Sequence, residues 1–249
     1  LDAMNNLSII YRDLGKYKET LTLTREALCL RRKIQGEEHP ETLKTMDNLS
    51  IIYRSLGRFE ESLRISKKVL KLSIKVLSKD HVFTINAMNS LSICYGYLEK
   101  HDEALELSEE VLLLRQQILG DKHPDTISAM DNLSFCYNNL GRYEDALALS
   151  KKVLYLRQSK LSCGHPDIIN AMNNLSIIHY ELRNYKEALD LSKEVLKLSR
   201  KAYGERHPST INAMFLLSKR YSGLNDYKKA SELLDRARKL IEKITSEDM

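Results

Sequence analysis

Histidine is the residue whose spacing in this sequence most suggests a chemical site. Five histidines recur every 42 residues, at His39, His81, His123, His165 and His207. Proline follows each of them except His81. A metal ion needs several ligands close together, and no second ligand accompanies these histidines three or four residues away. The series therefore predicts a capping or turn role, and we expect no metal and no other cofactor.

The four cysteines, Cys29, Cys94, Cys136 and Cys163, form no CxxC pair, which argues against a zinc or redox motif. A nucleophilic cysteine also needs a positioned base, and no Cys/His/Asp grouping stands out. Cys94 and Cys136 occupy equivalent positions and are interpreted as small buried hydrophobic residues. No phosphate loop, metalloprotease motif or acid pair is visible either. We therefore expect a non-catalytic protein in a reducing, cytoplasmic compartment.

Composition narrows the class of partner. The chain has 249 residues, of which 43% are hydrophobic and 29% charged, as in a folded, soluble protein. No apolar run approaches the roughly 18–20 residues that span a membrane. The 39 basic and 34 acidic residues are interspersed and give a net charge of only +5. We expect a protein or peptide partner, with neither nucleic acid nor membrane involved.

The 42-residue period extends over the whole chain. A leucine series marks it at Leu7, Leu49, Leu91, Leu133, Leu175 and Leu217. Because there is no linker, the sequence predicts one array of six units. Their bounds are 1–40, 41–82, 83–124, 125–166, 167–208 and 209–249. The chain begins inside a repeat, so we expect it to be part of a longer protein.

Each unit contains two helical patterns. In the second unit, Leu43, Met46 and Leu49 follow helical spacing. Pro40 suits a first turn, and Gly57 suits a left-handed C-terminal stop. A second pattern runs over residues 59–77. The sequence thus predicts an all-α stack of helical hairpins, each burying its apolar stripe against its neighbours.

Two hairpin turns depart from this pattern. Glu99 and Arg183 stand where Gly57 does. A non-glycine residue at positive φ costs about 1 kcal/mol, so these turns are expected to be strained or differently built.

The segment NNLSIIYRDLGKYKETLTLTREAL (residues 5–28) resembles a tetratricopeptide repeat (TPR). The long period and the GEEHPETL turn (residues 36–43) are similar to the repeats of kinesin light chains. The resemblance implies a right-handed superhelical solenoid of helical hairpins. Its first helices would line a concave side that binds protein or peptide. Where kinesin light chain repeats usually carry an aromatic, this chain has Thr24, Ser66, Ser108, Ser150 and Ser192.

The face of each first helix turned away from its hairpin partner is not uniformly polar. Its centre is apolar in successive repeats, at Ile51, Ile93, Phe135 and Ile177. Side-chain amides flank it at Asn5, Asn6, Asn48, Asn89, Asn132, Asn173 and Asn174. An apolar strip bordered by polar groups is typical of a binding surface, so this face is the predicted groove.

The resemblance assigns a specific role to Asn6, Asn48, Asn132 and Asn174, which precede the repeating leucine. An amide can donate to a peptide carbonyl and accept from its N–H. Packed helices lie about 8–10 Å apart, so one amide would meet roughly every third residue of an extended ligand. The alternative is that these amides only join neighbouring first helices.

Two features suggest selectivity. Arg12 and Arg54 lie on this face and suit a ligand carboxylate, although pairing with Asp2, Asp13 or Asp47 is an equal alternative. The equivalent positions in later repeats include Asn138 and Tyr180. Tyr97, Phe135 and Tyr180 are candidates for an aromatic pocket; the alternative is ordinary exposed surface.

The last unit has the polar character of a terminal cap. Lys219 replaces the groove isoleucine, Arg220 is expected to face outward where a seventh first helix would dock, and Arg238 replaces a leucine. A long closing helix is expected over residues 231–249.

The sequence thus favours a protein- or peptide-binding scaffold. The alternative is a self-assembly, spacer or sensor array attached to an upstream effector domain. The near-identity of the repeats also permits an engineered or recently duplicated array.

Overall fold

The computed structural model describes residues 4, 7, 11 and 17–247, with side chains for residues 18–244 of the continuous part. Eleven α-helices and no β-strand occur in that part of the chain. They are α1 (Tyr17–Gln35), α2 (Pro40–Ser55), α3 (Phe59–Leu77), α4 (Val82–Tyr97), α5 (His101–Leu119), α6 (Pro124–Asn139), α7 (Tyr143–Gln158), α8 (Pro166–Glu181), α9 (Tyr185–Tyr203), α10 (Pro208–Gly223) and α11 (Tyr227–Glu247). The predicted all-α fold of helical hairpins is confirmed.

The chain divides into two compact units, Leu1–Cys136 and Tyr137–Met249. In the first unit, α2 packs against α1 and α3, and α4 packs against α3 and α5. In the second unit, α8 packs against α7 and α9, and α10 packs against α9 and α11. We call α2, α4, α6, α8 and α10 the first helices and the remaining ones the second helices.

The repeating histidines initiate the first helices. Each histidine Nδ1 accepts a hydrogen bond from the backbone N–H two residues later. The distances from the histidine Nδ1 to the donating backbone nitrogen are 3.2 Å for Glu41, 3.1 Å for Phe83, 3.1 Å for Asp125, 3.2 Å for Asp167 and 3.1 Å for Ser209. This is N-terminal capping by a side chain, so the predicted capping role is confirmed. The residues described here include no cluster of three or more potential metal ligands.

The five described turns within hairpins, at residues 57, 99, 141, 183 and 225, each contain a left-handed residue. Gly57 has φ of +71°, and the non-glycine residues Glu99 and Arg183 have φ of +57° and +61°. The expected strain at Glu99 and Arg183 is therefore present, and the backbone of these turns is not rebuilt to avoid it.

The turns between repeats contain a position whose backbone conformation strongly favours glycine. Gly36, Gly120 and Gly204 occupy it with φ between +80° and +86°. Ser78 stands at the same place with φ of +80° and ψ of +165°, a region that is essentially reserved for glycine. Ser78 therefore holds a strained backbone where its counterparts do not.

Buried serines join the two helices of three of the described hairpins. The hydroxyl groups of Ser50 and Ser66 lie 2.7 Å apart, and the Ser92–Ser108 and Ser176–Ser192 pairs are separated by 2.6 Å. Ser66, Ser108 and Ser192 are the second-helix members of these pairs and stand where the similar repeats usually carry an aromatic residue. In these three hairpins a buried hydrogen bond is present at that position.

The buried thiols extend these serine pairs. Cys94 Sγ lies 3.1 Å from Ser62 Oγ and 3.6 Å from Ser66 Oγ, both on the preceding second helix. Cys136 Sγ lies 3.4 Å from Ser108 Oγ, and burial raises the pKa of this thiol. Both cysteines are buried as predicted, whereas Cys29 and Cys163 are exposed, and all four are free of disulfide bonds.

The prediction for Arg220 is wrong. Instead of facing outward, Arg220 is 1% exposed. Its Nε lies 3.3 Å from Ser176 Oγ, and its guanidinium lies 4.5 Å from the centre of the Tyr180 ring. The physical reason is that this position faces the preceding repeat, as Cys94 also does. Lys219 and Arg238 are exposed as expected.

The closing helix is present but starts earlier than predicted. Within the described chain, α11 spans Tyr227–Glu247 rather than beginning at Ser231. None of the helices described is both long and apolar enough to cross a lipid bilayer.

Candidate protein-binding face

Three of the predicted groove residues, Asn5, Asn6 and Arg12, lie outside the described residues. The remaining ones fall on the first helices and are considered separately in each unit.

In the first unit, the apolar centre of the predicted groove follows α2, α4 and α6. Ile51 and Ile93 are half-buried, whereas Phe135 is 55% exposed. A Cβ added to Gly96 would lie 3.9 Å from the Phe135 ring. The ring therefore lies beside a point of α4 that carries no side chain. The strip stays accessible at Phe135, so the face is not filled there by the protein's own side chains.

The amide border of this strip contains a bond between helices. Asn132 Nδ2 donates a 2.8 Å hydrogen bond to Asn89 Oδ1, and both residues are half-buried. This is the geometry of the alternative interpretation, in which amides join neighbouring first helices. A primary amide has two donors and two acceptor lone pairs, so the bond also fixes Asn132 while its other groups are left for further contacts. Asn48 is half-buried on α2.

Arg54 is directed at the next first helix. Its Nη1 lies 3.5 Å from the backbone oxygen of Ser90 and 4.0 Å from Cys94 Sγ. Burial raises the pKa of Asp47 to about 6, although a hydrogen bond with Ser90 and the charge of Arg54 both act in the opposite direction. Asp47 and Arg54 therefore interact electrostatically along α2, and both contact Ser90 on α4. The predicted Arg–Asp pairing across repeats stays a prediction.

In the second unit, the corresponding face lies on α8 and α10. Asn173, Asn174 and Ile177 are half-buried. Asn173 Oδ1 is buried without a hydrogen-bond partner, and the same is true of Asn138 Oδ1 on α6. Buried acceptors without partners are uncommon in folded proteins. These two oxygens are therefore candidates for contact with a ligand or an ordered water.

Tyr180 lies on this face in a cluster of cations and aromatic rings. Lys219 Nζ is 5.2 Å and the Arg220 guanidinium 4.5 Å from its ring centre. The ring of Tyr185 meets it edge-on at 5.3 Å. Its ring also lies against Gly223, where an added Cβ would approach to 2.7 Å. Burial lowers the pKa of Arg220, with the nearby Tyr180 and Glu181 opposing the shift.

The predicted aromatic pocket is divided between separate partners. Tyr97 stacks on Phe59, with ring centres 4.9 Å apart and planes within 6°. Tyr180 instead contacts Tyr185. Tyr97 therefore packs on the second helix of the preceding hairpin, whereas Tyr180 packs on the second helix of its own hairpin.

Two cavities in the second unit were not predicted. An open cleft of about 390 Å³ is lined by α9, α10 and α11, with Lys193, Lys197 and Arg236 on its walls. A smaller cavity of about 80 Å³ lies between α8, α9 and α10, with Asn173 and Ser199 on its walls. The sequence signal for the second cavity is an arginine that recurs in the second helices and is absent at Ser199.

The comparisons with known proteins agree with the helical-hairpin fold. The family model for the tetratricopeptide repeat matches residues 1–75, 48–112, 97–159, 127–201 and 167–243. Comparison with curated protein sequences gives no significant match.

Several solved structures share the fold at low sequence identity. A Podosopora anserina kinesin-light-chain protein with nearly identical TPR-like repeats is 23% identical, with a TM-score of 0.68, over 84% of this chain and 98% of that one. BtubC from P. vanneervenii is 15% identical, with a TM-score of 0.69, over 94% and 91% of the two chains.

A signal-transduction ATPase from Pyrococcus horikoshii that has a tetratricopeptide repeat sensor is 18% identical, with a TM-score of 0.69. The match covers 94% of this chain and 35% of the ATPase. These likenesses support the helical-hairpin architecture, and the family match extends over nearly all of the sequence. The chain therefore belongs to the tetratricopeptide repeat family.

Proposed function

We propose that the open face of the first helices binds an extended segment of a protein partner. The observation that carries the proposal is the apolar strip of Ile51, Ile93 and the 55% exposed Phe135, bordered by amides on the same helices. Large exposed apolar side chains beside polar groups are characteristic of interaction surfaces. Tetratricopeptide repeats generally serve as protein-interaction scaffolds, in keeping with this role.

In the proposed mechanism, amides hold the main chain of the ligand while the strip receives its side chains. Asn132 is oriented by its bond to Asn89, which reduces the conformational entropy lost when it contacts a peptide. Phe135 provides the largest apolar contact. Arg54 and its counterpart Arg12 bind a carboxylate of the ligand. At Arg54, the ligand carboxylate competes with Asp47. Asn6, Asn48 and Asn174 provide the remaining rungs of the amide ladder.

The proposal is tested by panning a displayed library of random peptides against the full chain and measuring the affinity of the selected peptides. Replacing Asn48 and Asn132 together by alanine is expected to weaken binding by about tenfold or more, because each lost main-chain hydrogen bond contributes about 1 kcal/mol. The double variant Ser128→Ala with Ser55→Ala is the matched control. Both serines are exposed on first helices, and each hydroxyl donates to its own helix backbone.

Unchanged affinity in the asparagine variant would contradict the amide ladder. If the wild type selects no peptide and light scattering shows oligomers that grow with concentration, the self-assembly alternative is favoured instead.

A further inference from the structure

One position in the second helices is either arginine or serine in the first five repeats. At intervals of 42 residues it is Arg31, Ser73, Arg115, Arg157 and Ser199. All three arginines are buried. Arg115 Nη1 donates to the backbone oxygen of Asp125 at 2.8 Å, and Arg157 Nη1 donates to that of Asp167 at 3.1 Å. Each of these guanidinium groups therefore contacts the first turn of the next first helix.

The contacts of Arg115 show which hydrogen-bond acceptors surround a guanidinium group at this position. Besides the bond to Asp125, its Nη2 donates to Asn86 Oδ1 on α4 at 2.8 Å. A single planar cation thus bridges acceptors from two neighbouring first helices. Hydrogen bonds of this charge-assisted, two-pronged kind are stronger and more selective than neutral ones.

Ser199 leaves the corresponding place in the second unit empty. The cavity of about 80 Å³ is lined there by Asn170 and Ser209, which are the counterparts of Asn86 and Asp125. Ser199 is 1% exposed, and its Oγ has no hydrogen-bond partner. The buried Asn173 Oδ1 also has no partner and belongs to a residue of the same wall. Two buried polar atoms without hydrogen-bond partners therefore belong to residues that line this space.

The other serine at this position, Ser73, has different surroundings. Ser73 Oγ donates to the backbone oxygen of Leu70 at 3.0 Å. Phe83, the counterpart of Ser209, is half-buried and packs against the cluster that contains Leu43 and Met46. Ser73 therefore has a hydrogen-bond partner and Phe83 stands at the counterpart of Ser209, whereas Ser199 Oγ has no partner and Ser209 is small.

We propose that this cavity binds the guanidinium group of an arginine side chain carried by the protein partner. The amide oxygens of Asn170 and Asn173, the Ser209 carbonyl and Ser199 Oγ act as acceptors for its five N–H donors. About 10–15 Å³ of such space holds one water, so a planar group of four heavy atoms fits. Tyr203 also lines the cavity, and its pKa is raised by burial and by the Asp167 carboxylate, whose negative charge favours a cation.

This proposal rests on the proposed function, because Asn173 belongs both to the cavity and to the predicted groove. It adds one side chain that the partner must present near the α8–α10 end of the face. A small ion can probe the cavity without a peptide, so the two proposals fail in different experiments.

The test is a titration of the full chain with ethylguanidinium, followed by the backbone amide resonances of Asn173, Ser199 and Ser209. Saturable shifts are expected at all three in the wild type. Ser199→Arg and Ser209→Phe fill the cavity with side chains that the chain itself uses at equivalent positions. Each is expected to weaken ethylguanidinium binding by about tenfold or more. Urea, a planar donor without charge, is expected to bind at least about tenfold more weakly than ethylguanidinium.

Thermal melts identify which filled variant is folded, and either one suffices. The proposal is overturned if the wild type gives no saturable shift, if a folded filled variant binds as the wild type does, or if urea binds equally well. Loss of peptide capture with ethylguanidinium binding intact would count against the groove and not against the cavity.

Discussion

The third and sixth repeats fill one position of their first helices, which we call the slot, in different ways. In the third repeat, which belongs to the first unit, the slot holds the small thiol of Cys94, which contacts serines of the preceding hairpin. In the sixth repeat, which belongs to the second unit, the guanidinium of Arg220 occupies the slot, beside Ser176 and the Tyr180 ring. Isoleucine is found at the same position in both units, at Ile52 and Ile178. The difference shows that the leucines and serines shared by the repeats build the hairpin, whereas the size and charge of the slot residue vary with the residues around it.

The same contrast applies to the predicted binding face. The first unit keeps an exposed phenylalanine beside a bonded pair of asparagines. The second unit covers part of its face with Tyr180 and two cations, and leaves Asn173 Oδ1 without a partner. If these faces bind one extended ligand, its contacts are expected to be apolar along the first unit and polar along the second.

Exchanging the slot residues gives the largest expected effect. Cys94→Arg places a second guanidinium beside Arg54 in a well-packed core and is expected to lower the free energy of unfolding by about 3 kcal/mol or more. Arg220→Met, a change of similar volume, is expected to alter it by less than about 1.5 kcal/mol, because the substitution also removes a buried charge. Urea denaturation measures both. Equal losses would show that the slots do not differ as described.

The next largest effect is expected from two glycines that lie within helices, one in each unit. Gly223→Ala is expected to lower the free energy of unfolding by about 1–3 kcal/mol, because the new Cβ would meet the Tyr180 ring at 2.7 Å. Gly96→Ala meets Phe135 only at an ordinary 3.9 Å and is expected to be stabilising by about 0.5–1 kcal/mol. Thermal melts compare the two variants. Stabilisation by both would mean that Tyr180 does not pack on Gly223.

Asp47 confers a pH dependence on the first unit. Its pKa in the folded protein, about 6, lies above the ordinary value of 3.8, so ionisation is less favourable in the folded state. The Asp47 charge therefore lowers the free energy of unfolding. This effect is absent below about pH 4, develops as the pH rises from about 4 to about 6, and is complete above that. Asp47→Asn is expected to raise the free energy of unfolding by about 1–2 kcal/mol at pH 7.5.

The same substitution is expected to have little effect at pH 4, where the wild-type carboxyl is protonated in the folded state. Denaturation curves at both pH values make the comparison. A gain that does not depend on pH would indicate that the charge of Asp47 is not the cause.

The smallest expected effect comes from the turn between the second and third repeats. Ser78→Gly restores the residue that Gly36, Gly120 and Gly204 provide at the same φ. It is expected to raise the free energy of unfolding by about 1 kcal/mol, the difference between relieved strain and the greater freedom of glycine in the unfolded chain. Gly120→Ser is the reverse control and should destabilise. A loss of stability in Ser78→Gly would contradict the strain.

The periodicity of the sequence is sufficient to predict the helices, the histidine caps and the burial of Cys94 and Cys136. These features depend on spacing along one helix. It is insufficient for Arg220, because spacing does not reveal whether a helix face meets the preceding or the following repeat. The Asn89–Asn132 bond and the Ser199 cavity depend on the lateral offset of helices 42 residues apart. That offset is a property of packing, which only the three-dimensional arrangement provides.

The central claim is that a partner segment lies on the open face of the first helices. Photo-crosslinking tests it most directly, with p-benzoylphenylalanine replacing either Phe135 or Tyr155. Tyr155 is the control, because it is an aromatic residue of a second helix and is 71% exposed. A peptide selected from the library is expected to crosslink at position 135 and not at position 155. Crosslinking at 155 alone, or equally at both positions, would contradict the claim.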